Sequence, residues 1–231
     1  MFWRELVHIG DLPLTLAAAA AVTVSLLLAR ARRPALLWSL LFALGIGLVA
    51  TTKVAFLAWG AGLPGTGFKA ASGHAAGLTA VLPTLLFLLL QRTPRLQRAG
   101  VAAGLAAGAL MGLLLVAQGF HSVAEVIAGW AIGAAVSLGG IWLLRPMPRP
   151  PGYAWWCAGA VFAATVYTMH SFPFGYVMHR VALAVSGNPT TFPFTQPAKE
   201  CRIRPKKEAS CLLEKCVVPH SRGWHSSERV S

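Results

Sequence analysis

The sequence predicts an all-α integral membrane bundle of six transmembrane helices followed by a disordered C-terminal tail. Composition is the first reason. Of 231 residues, 56% are hydrophobic and 12% charged, with a mean hydropathy of +0.62, whereas soluble domains carry about 25% charged residues. The second reason is that the apolar residues gather into six runs close to the roughly 20 residues a helix needs to cross hydrocarbon. The third is that arginines cluster in alternate connections, as in a chain that threads back and forth.

The first run, near 13–30, follows Glu5 and Asp11 and ends without a small-residue cleavage pattern, so it is expected to remain as a helix. The second, near 36–59, carries Lys53. The third, near 75–91, is short and contains Pro83, which should kink it or free a carbonyl. The fourth, near 99–118, contains Ala102-Ala103-Gly104 and Ala106-Ala107-Gly108, and the fifth, near 123–144, contains Gly129-x3-Gly133; such small residues let helices approach closely. The sixth, near 154–170, holds Cys157, which is expected to be a small packing residue.

The aromatic, mildly amphipathic segment SFPFGYVMHRVALAV follows, suited to the membrane interface. A membrane domain is thus expected over 1–186 and a basic tail over 187–231, where Pro, Lys, Ser and Cys replace apolar periodicity. Cys201, Cys211, Cys216, His220 and His225 fall in that tail, but without the tight paired spacing of a structural zinc site.

The net charge of +13 does not demand nucleic acid. Arg30, Arg32 and Arg33 lie in the first connection, Arg92, Arg95 and Arg98 in the third, and Arg145 and Arg149 in the fifth, which makes these three connections cytoplasmic. The second and fourth then share the opposite side. In a bacterial inner membrane that side is the periplasm.

Those two connections hold the polar residues that invite chemistry. Glu125 is the one acidic residue between Asp11 and Glu200. A charged side chain at mid-bilayer costs about 2.5–3.5 kcal/mol on insertion scales, and His121, four residues earlier, faces it along the helix. A carboxylate bonded to one imidazole nitrogen leaves the other as acceptor or nucleophile. Upstream, Ser72-Gly73-His74 opens the third helix after the Gly-rich loop GAGLPGTGFKAA. Backbone N–H groups at a helix N-terminus, with a hydroxyl and the nearby Lys69, suit an anion such as phosphate.

Together, in this order and on this topology, Ser72-Gly73-His74 and His121-x3-Glu125 resemble the type-2 phosphatidic acid phosphatase superfamily over roughly residues 36–145. The resemblance implies a six-helix core with an extracytoplasmic site and no metal or other cofactor. It implies that His121 is the nucleophile of a phosphohistidine, that Glu125, where the family usually has Asp, orients it, and that His74 is the general acid. Ser72, Gly73 and Lys53 match phosphate binders, Ala71 replaces a Pro, and Lys69 is the expected substitute for missing cations.

Two family arginines are absent. Gly60-Ala61 stands at the Arg-Pro of the first block, and Leu114-Leu115 at the Ser-Arg of the third. The expected activity is hydrolysis of a lipid phosphate or diphosphate, phosphatidate-like or polyprenyl. Two other readings stay open: a weakened relative that binds lipid phosphate without turning it over, and a small transporter or scaffold whose His and Glu relay protons.

Overall fold

The structure is a computed structural model that describes residues 10–91, 93–143 and 149–194. These fold as seven helices: α1 (Leu12–Leu28), α2 (Arg32–Trp59), α3 (Gly73–Leu89), α4 (Pro94–Ala117), α5 (Val123–Leu143), α6 (Gly152–Met169) and α7 (Phe174–Ser186). Each of the six expected runs holds a helix, with ends displaced by up to five residues: α4 begins at Pro94, its first turn capped by Thr93, whose hydroxyl accepts from Leu96 N at 3.2 Å. Thr-Pro is a start signal in its own right, since Pro loses nothing at the first helical position.

Three helices, α2, α4 and α5, are long and apolar enough to cross a membrane, while α1 and α3 are apolar but shorter. The outer surface agrees. Leu36, Leu40, Leu44 and Leu48, one stripe along α2, are 70%, 56%, 61% and 53% exposed, and Trp142 and Trp156 are 76% and 84% exposed. Water would not tolerate so continuous an apolar face; hydrocarbon does. The chain is a membrane protein.

Helix α3 lies against both α4 and α5, α1 packs on α6, and α2 on α7. Glycines make the close crossings around α3 possible. A Cβ on Gly104 would meet Pro83 N at 2.6 Å, and one on Gly133 would run into the Ala76 carbonyl and stand 2.8 Å from Thr79 Cβ. Pro83 therefore sits in the helix facing a neighbour that has made room for it. Away from the site, Trp38 is fully buried, stacks on Phe42 at 5.5 Å and donates to Thr84 Oγ1 at 3.3 Å.

Three expectations change. The interfacial segment is a seventh helix, whose Ala182 packs with Leu57 and Ala58 of α2. Cys157 is exposed rather than packed, because α6 buries Ala154 and Ala158 instead. Residues 187–194, expected to begin a disordered tail, lie along α2: Asn188 Nδ2 donates to Ala58 O at 3.1 Å and Phe192 N to Leu57 O at 2.9 Å. The remaining tail, with Cys201, Cys211, Cys216, His220 and His225, lies outside the described residues.

Candidate active site

An up-and-down chain brings the start of α1, the end of α2, the start of α3, the end of α4 and the start of α5 to one end of the bundle. Both polar clusters stand there. Arg30, between α1 and α2, and Arg32 and Arg33, on the first turn of α2, stand at the other.

His121 is presented by a turn that the sequence spells out. Helix α4 ends at Ala117, Gly119 takes a φ of +72°, and the amides of Phe120 and Gly119 bond to the carbonyls of Leu115 and Val116, both at 3.0 Å. This is the double hydrogen bond of a Schellman ending, which favours glycine at the left-handed position. Two residues later a capping box opens α5. Ser122 Oγ accepts from Glu125 N at 3.3 Å, and Glu125 Oε2 accepts from Ser122 N at 3.0 Å. The Ser-x-x-Glu spacing is the signature of that reciprocal cap.

Glu125 does more than cap. Its Oε2 also lies 2.9 Å from His121 Nδ1, and its Oε1 accepts from the amides of Lys69 at 3.0 Å and Ala70 at 3.3 Å. Its side chain is 7% exposed, and four donors satisfy a carboxylate that would otherwise be costly to bury. With Nδ1 bound to the carboxylate, Nε2 is the nitrogen of His121 left as an acceptor or nucleophile.

The same carboxylate joins the two clusters. Along the approach to α3, four consecutive amides are taken: Lys69 and Ala70 by Glu125 Oε1, Ala71 by Thr52 Oγ1 at 3.1 Å, and Ser72 by the Glu125 carbonyl at 2.9 Å. Gly129, one turn further along α5, faces the Ser72 carbonyl so closely that a Cβ there would collide with it. The start of α3 is thus clamped between α2 and α5.

Ser72 is fully buried, and its hydroxyl caps α3 by accepting from Ala75 N at 3.4 Å. His74 follows on the first turn. Its ring lies 6.5 Å from that of His121, inclined at 61°. Lys53 rises from α2 beside them, its Nζ 3.5 Å from where a Cβ on Gly73 would be, and its charge acts on both His74 and Glu125. Two imidazoles, an ammonium and the N-terminus of α3 converge, which is a setting for an oxyanion.

Lys69 is placed differently from expectation. Its ammonium bonds to the Phe194 carbonyl and lies 5.8 Å over the Phe56 ring, and only its backbone amide serves the site, through Glu125. His179 bonds to Thr191 Oγ1 at 2.9 Å, and His170 to Ser171 Oγ at 2.8 Å, each outside the two histidine clusters. The residues missed by sequence reasoning are Thr52 and Asp11. Asp11 Oδ1 lies 2.9 Å from His74 Nε2. No local pattern links residues so far apart in sequence.

The positions of the missing arginines are filled by packing. Leu115 is fully buried among Ala75, Met111 and Val126. Gly60 ends α2 with a φ of +66°, and a Cβ there would stand 3.0 Å from the Phe192 ring. Among the described residues, Lys53 is the cation beside the imidazoles.

A family model described as PAP2 superfamily matches residues 51–149. A Klebsiella pneumoniae protein described as "Uncharacterized 22.5 kDa protein in cps region" is 32% identical over 203 residues, covering 85% of this chain and 96% of the relative. No solved structure matches significantly.

Proposed function

This chain belongs to the PAP2 superfamily, and on that premise we propose that it is a membrane phosphatase that hydrolyses a lipid phosphate or diphosphate through a phosphohistidine. The observation that carries the reading is the facing pair His74 and His121, 6.5 Å apart beside Lys53. In-line transfer needs a nucleophile about 3–3.5 Å from phosphorus and an acid about 2.6–3.2 Å from the leaving oxygen. A gap of this size is on the scale of one phosphoryl group.

In the first step the lone pair on His121 Nε2 forms a bond to phosphorus while the bond to the leaving oxygen breaks. His74 gives that oxygen a proton and becomes neutral. In the second step His74 takes a proton from water, whose oxygen bonds to phosphorus as the N–P bond breaks and its electrons return to Nε2. Inorganic phosphate leaves, and both histidines regain their starting states. Lys53 and the α3 N-terminus balance charge on the phosphoryl oxygens. All six runs cross the membrane in this reading, and the site opens on the periplasmic face of a bacterial inner membrane, as the arginine distribution supports.

Purified protein with phosphatidate or a polyprenyl diphosphate tests the reading. Wild type should release inorganic phosphate and carry acid-labile phosphate when quenched, and His121→Ala should do neither. Equal rates in the two proteins would end the catalytic reading. Binding without release would favour the weakened relative.

A further inference from the structure

We propose that Asp11 is the positioning residue for His74, holding its Nε2–H so that Nδ1 becomes the atom that exchanges the proton with the leaving oxygen and with water. The proposal rests on the reading of His74 as the general acid and assigns a role to a residue ahead of the first helix.

Three observations carry it. Asp11 Oδ1 lies 2.9 Å from His74 Nε2. Asp11 also stands at the N-cap position of α1, where an aspartate ordinarily bonds to its own helix, yet its side chain makes no cap bond there. Finally, the chain before α1 is laid directly on the ring. A Cβ on Gly10 would stand 2.9 Å from His74 Cβ and 3.2 Å from Cδ2. Because Cδ2 is bonded to Nε2, residues Gly10 and Asp11 together cover one edge of the imidazole. Among the described residues, the edge left for a substrate is the one that bears Nδ1.

The site then holds two carboxylate–imidazole pairs with opposite assignments. Glu125 takes Nδ1 of His121 and leaves Nε2 to attack; Asp11 takes Nε2 of His74 and leaves Nδ1 to protonate. In the acid form His74 carries a proton on each nitrogen, the Nε2 proton donated to the Asp11 carboxylate. The Nδ1 proton passes to the leaving oxygen as the P–O electrons move onto it, and the freed lone pair later accepts a proton from water. Asp11 stays ionised throughout, as an orienting carboxylate does. Besides Asp11, the charged or titratable groups among the described residues that act on His74 are Lys53 and His121.

The experiment compares two leaving groups in the purified full chain: an alkyl phosphate such as phosphatidate, whose departing alkoxide needs a proton, and p-nitrophenyl phosphate, whose phenolate does not. Asp11→Asn should lower kcat/KM, which reports the steps up to departure of the leaving group and not the later attack of water, about 10²–10³-fold for the alkyl ester, the scale of general acid catalysis, and leave kcat/KM for the aryl ester nearly unchanged. The ratio of the two rates within one preparation is independent of the fraction folded, so a merely structural loss does not alter it. Asp11→Glu, which keeps the carboxylate, should hold the ratio near that of wild type and serves if the Asn variant does not fold. Equal losses on both esters, no loss on either, or a ratio shifted in Asp11→Glu as far as in Asp11→Asn would overturn the proposal. Wild type inactive on both esters and devoid of acid-labile phosphate would instead remove the function on which it rests.

Discussion

The rings of His74 and His121 stand 6.5 Å apart, and what sets the separation is Glu125, which touches both sides of the gap. One of its oxygens holds His121 and the other holds the amides of Lys69 and Ala70, while its carbonyl holds the amide of Ser72. A group placed in this way controls orientation and spacing together.

Glu125→Gln tests that double role. The amide cannot accept at both ends, so one set of donors loses its partner inside a buried pocket. kcat should fall about 10³-fold or more, as when an orienting carboxylate is removed from a triad. Stability should fall by about 3 kcal/mol, which thermal unfolding in detergent would register. A variant with wild-type kcat would show that His121 is oriented by something else.

The two lysines of the site should separate. Lys53→Met removes the cation beside the imidazoles and should cost about 10²–10³ in kcat, the scale of one preorganised donor. Lys69→Ala should change little, because the ammonium is spent on the Phe194 carbonyl and the amide that serves Glu125 survives the substitution. Steady-state kinetics on the two proteins decides between them. A loss in Lys69→Ala as large as in Lys53→Met would mean that Lys69 turns to the phosphoryl group during turnover.

Gly129→Ala adds one methyl group against the Ser72 carbonyl. The backbone there has nowhere to go, so α3 must move away from α5, at a cost of about 1–3 kcal/mol. Because the displaced segment carries His74, kcat should fall with the unfolding midpoint. Gly139, with open space around it, supplies the control: Gly139→Ala should leave activity unchanged.

Restoring a family arginine at Leu115 should fail. The side chain there is fully buried in an apolar cluster, and an unpaired guanidinium in its place costs about 3 kcal/mol or more. Leu115→Arg should express poorly or unfold early, with no gain in phosphate release. A more active, folded variant would show that this position can still face the phosphoryl group.

Local chemistry explains which parts were legible in the sequence. The helices follow from apolar runs, and their starts and stops from Thr93-Pro94, Ser122-x-x-Glu125 and Gly119, each a bond between residues a few positions apart. His121 and Glu125 meet for the same reason. His74 and His121 come to one end of the bundle because alternation of the helices leaves no other arrangement. Asp11 on His74, Thr52 on Ala71 and Phe192 over Gly60 depend instead on how separate helices dock, which no spacing rule encodes. Cys157 failed because a helix facing lipid presents apolar residues outward as readily as inward, so composition does not identify its buried side.

The clamp on residues 69–72 has a bearing on biogenesis. The amides of Lys69, Ala70 and Ser72 find their acceptors on Glu125 of α5 and only that of Ala71 finds one on α2, so in a nascent chain that still lacks α5 the Ser-Gly-His turn is held, among the described residues, by Thr52 and Asp11 alone. On the proposed function, competence would arrive only when α5 docks, and a partly synthesised chain leaving the ribosome would have no means of attacking the lipids around it.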